Sequence, residues 1–103
     1  TLDNTRLINE GIRMIEEYFQ IDLEQDSLGY NRMMSHIYYM LVRTRKGEQV
    51  KADLNDFVQV KYPKEFAAAE KICAWIEQEL KKEVRIEEIG FLAIHILRIV
   101  NRE

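Results

Sequence analysis

The sequence predicts an all-α fold, a compact bundle of about five helices. Two observations carry that expectation. Apolar residues recur at the 3.6-residue helical period along the whole chain, and no segment shows the alternation of a half-buried strand. The four glycines and one proline are few for 103 residues and fall near segment ends, where they punctuate helices. A third feature fixes the centre of the bundle. From Ile89 to Val100 every position is apolar except Gly90, His95 and Arg98. Such a helix buries more than one face, so it is central or interface-forming. The run is too short to span a bilayer, which takes about 20 apolar residues.

Taken in order, Asp3 or Asn4 can cap a first helix whose stripe is Ile8, Ile12, Ile15 and Phe19, flanked by Leu7, Met14 and Tyr18. Asp26-Ser27-Leu28-Gly29 interrupts it, and Asp26 or Ser27 can cap the next helix. The second stripe is Met33, Ile37, Met40 and Leu41, and the helix stops at Arg43-Thr44-Arg45-Lys46-Gly47. Basic residues suit the negative end of the helix dipole, and glycine takes the left-handed conformation that closes it. A short third helix is expected over Ala52–Val60 with Leu54, Phe57 and Val58 inward. Pro63 opens a fourth helix at its first turn, where a missing N–H costs nothing. Its stripe is Phe66, Ala69, Ile72, Cys73, Ile76 and Leu80, with Ala67-Ala68-Ala69 allowing close packing. After the charged turn Lys81-Lys82-Glu83, Glu87 and Glu88 fall in the first turn of the last helix, where carboxylates suit its positive end. No internal repeat, low-complexity tract or linker divides the chain, so residues 1–103 read as a single domain.

Composition narrows the function. With 47% hydrophobic and 32% charged residues the chain is globular in character, not disordered. A net charge of −3 advertises no grip on a phosphate backbone, which disfavours direct RNA binding by this piece. The lone Cys73 excludes an internal disulfide and suits a reducing cytoplasm. The sequence shows no leader or lipidation signal and opens on Thr1, so it reads as a piece of a longer cytoplasmic protein.

Catalytic and cofactor signatures are missing. Neither histidine has a Glu or His three or four positions away, so a metal-binding bundle built on His36, His95 and carboxylates is disfavoured. There is no Gly-rich phosphate loop, and Cys73 on an apolar stripe reads as a small core hydrophobe. Tyr38, Tyr39 and Trp75 read as core and interface mass, not as a base-stacking platform. The chain is expected to be neither an enzyme nor a cofactor or metal protein. Two histidines are left, on different helices, each in or beside an apolar stripe. Arg43 follows His36 by two helical turns, and Arg98 stands i,i+3 from His95. Both histidines can be core-edge residues with a hydrogen-bond partner. The sharper alternative is that they are phosphoryl acceptors, because a neutral imidazole is nucleophilic near pH 7 and a nearby guanidinium suits phosphoryl oxygens.

Two stretches around these histidines decide the sequence-level reading. Glu88-Ile89-Gly90-Phe91-Leu92-Ala93-Ile94-His95-Ile96-Leu97-Arg98 resembles the terminal motif of the PTS regulation domain (PRD), a helical module of bacterial transcriptional antiterminators and activators. Tyr30-Asn31-Arg32-Met33-Met34-Ser35-His36-Ile37-Tyr38-Tyr39-Met40-Leu41-Val42-Arg43 resembles the family's first histidine motif. Leu54-Asn55, Lys61-Tyr62-Pro63-Lys64-Glu65-Phe66 and Ala69-Glu70-Lys71-Ile72 follow in the family's order, so the resemblance covers essentially the whole chain. It departs from the family pattern at Ser35, where the first copy often has Asp, and at Asp56, where Pro is frequent.

The resemblance implies a dimerising helical bundle phosphorylated on His36 and His95. Arg43 and Arg98 match arginines common in its motifs, and guanidinium chemistry, not the resemblance, makes them candidate phosphoryl-stabilising residues. It implies the phosphocarrier protein and enzyme II components of the sugar phosphotransferase system as partners. Contact with RNA would run only through a separate N-terminal domain absent from this chain. The residues before His36 and the end soon after His95 look like a second, C-terminal PRD copy. The readings kept beside this one are a PRD of a DNA-binding activator and a plain helical dimerisation module without sensing.

Overall fold

Among the described residues five helices form in the predicted order: α1 (Asn4–Phe19), α2 (Leu28–Lys46), α3 (Asn55–Lys61), α4 (Pro63–Leu80) and α5 (Glu87–Val100). The computed structural model describes residues 4–101, among which there is no strand. Asp3, one of the two expected caps of α1, lies outside them. Asn4 opens α1, and its Oδ1 accepts a hydrogen bond from Arg45 of α2 at 2.8 Å. Ser27 caps α2, its Oγ accepting from the Tyr30 N–H at 3.2 Å, while Asp26 takes a left-handed φ of 67° in the preceding turn. Gly47 closes α2 at φ 73°, as its position after the basic turn requires.

The α1, α2 and α4 stripes point inward as the periodicity predicts. Leu7, Ile8, Ile12 and Ile15 of α1 are buried against Met33, Ile37, Met40 and Leu41 of α2 and Phe66, Ala69, Ile72, Cys73 and Ile76 of α4. Phe19 and Leu80, at the ends of their stripes, are half-buried. Burial also pushes the Cys73 thiol up to about 12, with Glu88, Glu77 and Glu70 adding to the shift, so it packs as an inert hydrophobe.

Three expectations are corrected. The third helix starts at Asn55, not Ala52: the Asp53 carboxylate accepts from the Asn55 N–H at 2.9 Å, and residues 52–54 ahead of it are irregular. Phe57 is 59% exposed instead of inward. In so short a helix one face suffices for burial, and Val58 occupies it. Tyr38 and Tyr39 stand outside the core, packed edge-on to each other with centroids 5.1 Å apart.

Helix α5 lies in the middle, in contact with α2, α3 and α4. Gly90, Leu92, Ala93, Ile96 and Ile99 are buried, and the remaining apolar residues of the run are half-buried. Its start has no side-chain cap of its own. Asn55 supplies one from α3: its Oδ1 accepts from the Gly90 N–H, and its Nδ2 donates to the Ile86 carbonyl, both at 2.9 Å. An orphan N–H of the first turn of α5 is thereby satisfied across the fold. The approach is so close that a Cβ on residue 90 would lie 2.5 Å from Asn55 Oδ1.

Candidate functional site

Helix α2 brings His36 to the edge of its buried stripe, between Met33 and Met40, and α5 brings His95 to the edge of its own. Where the helices pack, the two rings stack with centroids 4.0 Å apart and planes 28° from parallel. Residues far apart in sequence thus form one feature at the floor of a cleft of about 530 Å³. The cleft is lined by Asn31, Arg32, Ser35, His36, Tyr39, Arg43, His95 and Arg98. On its other side His95, with Arg32 and Arg98, borders a smaller cavity of about 180 Å³.

Electrostatics keep both rings neutral. Burial first, then His95 and Arg43, pushes His36 down to about 3. His95 is lowered as well, by burial first and then by Arg98 and Arg32. The Nε2 of His36 is buried with no hydrogen-bond partner among the described residues. Near neutral pH each ring, held neutral, has one unprotonated nitrogen, and guanidinium groups stand close by.

The arginines differ in what they hold. Arg43 donates from Nε and a terminal nitrogen to both oxygens of Glu88, at 2.8 and 2.9 Å. Glu88 is 1% exposed, so this fork is the counter-charge for a buried carboxylate. Its carboxylate faces α2 instead of sitting at the surface of the first turn of α5. Arg98 and Arg32 are exposed at the rim and have no carboxylate partner among the described residues. Arg32 was not singled out from the sequence, although it stands i,i−4 from His36 and so shares its face. Glu88, seven residues before His95, gave the same kind of signal.

Among the described residues no group of three or more His, Cys, Asp or Glu side chains is arranged to hold a metal ion. Nor, among the described residues, is any helix long and apolar enough to cross a membrane.

Comparison with known proteins gives a consistent picture. The family model described as PRD domain matches residues 9–99. Protein GlcT of Staphylococcus epidermidis is 34% identical over 93 residues, covering 88% of this chain and 33% of that protein. Transcription antiterminator LicT of Bacillus subtilis is 28% identical over 101 residues, covering 95% of this chain and 36% of that protein. The PtsGHI operon antiterminator of the same species is 29% identical over 101 residues, covering 96% and 36%. The chain therefore spans about a third of the length of the curated relatives it matches. No solved structure matches it significantly.

Proposed function

The chain belongs to the PRD domain family, and from that premise we propose that it is a phosphorylation-sensing regulatory domain of a transcriptional antiterminator governed by the sugar phosphotransferase system. His36 and His95 are the phosphoryl acceptors in this reading. The observation that carries it is the stacking of the two rings, 4.0 Å apart, in one arginine-lined cleft. A neutral imidazole is the nucleophile such a transfer needs, and both rings are depressed below their ordinary pKa. Antiterminators among the matched relatives favour this role over a DNA-binding activator.

In this reading residues 1–103 are one domain, a second PRD copy, without catalysis or cofactor of its own. It works in the cytoplasm as a homodimer. The phosphocarrier protein and enzyme II components set its phosphorylation, and an RNA-binding domain elsewhere in the polypeptide carries the output. Each phosphoryl group adds roughly two negative charges at a helix-packing edge, enough to change how copies associate. Arg98 and Arg32 stand ready as its counter-charges. Arg43, given to Glu88, is a weaker candidate for that task than its spacing from His36 suggests.

Incubation with phosphoenolpyruvate, its phosphotransferase kinase and the phosphocarrier protein is expected to put acid-labile label on His36, His95 or both. Sedimentation before and after labelling is expected to show a shift in oligomeric state. Label persisting in the His36→Ala, His95→Ala double variant would sink the site assignment.

A further inference from the structure

We propose that His36 and His95 form a single-occupancy site: either ring accepts a phosphoryl group, and a chain that carries one does not take a second. The inference rests on the phosphorylation reading and adds a rule of stoichiometry to it. Its basis is the geometry of the pair and the supply of counter-charge around it.

The rings stack with centroids 4.0 Å apart and share one cleft of about 530 Å³. A group bonded to a nitrogen of one ring therefore lies within roughly 8 Å of a group bonded to the other, whichever nitrogens react. Two phosphoryl groups of charge about −2 at that separation repel enough, at the dielectric of bulk water and low ionic strength, to disfavour double occupancy on the order of 30-fold where counter-charge is lacking.

Counter-charge matches one group and not two. Of the three arginines lining the cleft, Arg43 is held by both oxygens of Glu88, which is 1% exposed and has no other cation to pair with among the described residues. Arg32 and Arg98 are left, one from α2 and one from α5, neither with a carboxylate partner among the described residues. Two guanidinium groups balance one dianion. Drawing Arg43 away to balance a second would strand Glu88 in the core.

The chemistry is a phosphoryl transfer. The lone pair of an unprotonated ring nitrogen attacks phosphorus and forms an N–P bond. The donor's own bond to phosphorus breaks, and its leaving group takes the proton the ring gives up. Phosphoramidate is a suitable probe: it requires no partner protein, and its leaving group is ammonia.

The test is exhaustive phosphorylation of this chain with phosphoramidate. Intact mass is read at neutral pH, and sites are mapped on peptides, for the wild type and for the His36→Gln and His95→Gln variants. The expected result is a wild-type plateau at one phosphoryl group per chain, composed of two singly modified isomers, one at His36 and one at His95. Each variant should also reach one group, at its remaining histidine. Should a variant fail to fold by circular dichroism, the wild-type isomers decide the matter alone. Doubly modified wild type accumulating alongside the singly modified form overturns single occupancy while leaving the phosphorylation reading intact. Modification confined to one histidine in every form overturns it too, since there would be no second acceptor to exclude. No modification of either histidine removes both the inference and the reading beneath it.

Discussion

His36 stays neutral in the folded chain, pushed down to about 3 by burial and then by His95 and Arg43, whereas in the unfolded chain it titrates near 6.5. Between those values the unfolded state binds a proton that the folded state refuses. Stability therefore falls as the pH drops below about 6.5, by roughly 1.4 kcal/mol per unit, until the folded ring itself protonates near 3. His95, also lowered, adds in the same direction. From pH 7 to pH 5 the loss expected from His36 is about 2 kcal/mol. Urea unfolding at the two pH values should register it, and His36→Gln should lose distinctly less than the wild type. An equal loss in both would mean that the ring is solvated. Gly90 offers a second single-residue test. Alanine is about 1 kcal/mol the better helix former, yet its Cβ would meet Asn55 Oδ1 at 2.5 Å and disturb the bracket on the start of α5. Gly90→Ala is expected to destabilise by about 1–3 kcal/mol, the range for overpacking, visible as a lower melting temperature. Little in the sequence announces that constraint. Gly90 reads there as an isolated glycine in an apolar run, because its reason for being glycine sits on another helix.

Between elements, the contact that fixes α5 on α2 beside the histidines is the Arg43–Glu88 fork. Its two ends are unequally placed: the Arg43 side chain is 26% exposed and Glu88 only 1%. Removing Arg43 strands a carboxylate with no access to water, while removing Glu88 leaves a guanidinium that can still hydrate. Arg43→Met is therefore expected to cost about 5 kcal/mol and Glu88→Gln about 3, the two ends of the range for breaking a buried pair. The Arg43→Met, Glu88→Met double variant should recover much of the loss, because two apolar side chains leave no unpaired charge. Urea midpoints of the four proteins give the comparison, and a double variant no better than Arg43→Met would contradict it. Helical periodicity exposes the long elements well. The stripes of α2 and α4 each repeat over several turns, so their buried faces follow from spacing alone. In α3 two turns leave too little period to choose a face, which is how Phe57 came to be expected inside.

At the scale of the whole molecule, a radius of gyration of 12.7 Å is that of a compact domain of this length. Its centre is the run Ile89–Val100, whose apolar character on several faces is matched by contact with three other helices. Local sequence was sufficient for the five helices, most of their buried faces and the singling out of His36 and His95, since each of these depends on residues a few positions apart. The motifs around those histidines, and the order of what lies between them, were also sufficient to indicate the family. Only the tertiary structure decided that the two rings touch, that Arg43 is bound to Glu88, and that Arg32 joins Arg98 at the rim. The reason is physical. A helical period states which face of an element avoids water, but not which neighbouring face it meets. The pairing of charges and rings is settled only when α2 and α5 pack together and each buried polar group must find its partner.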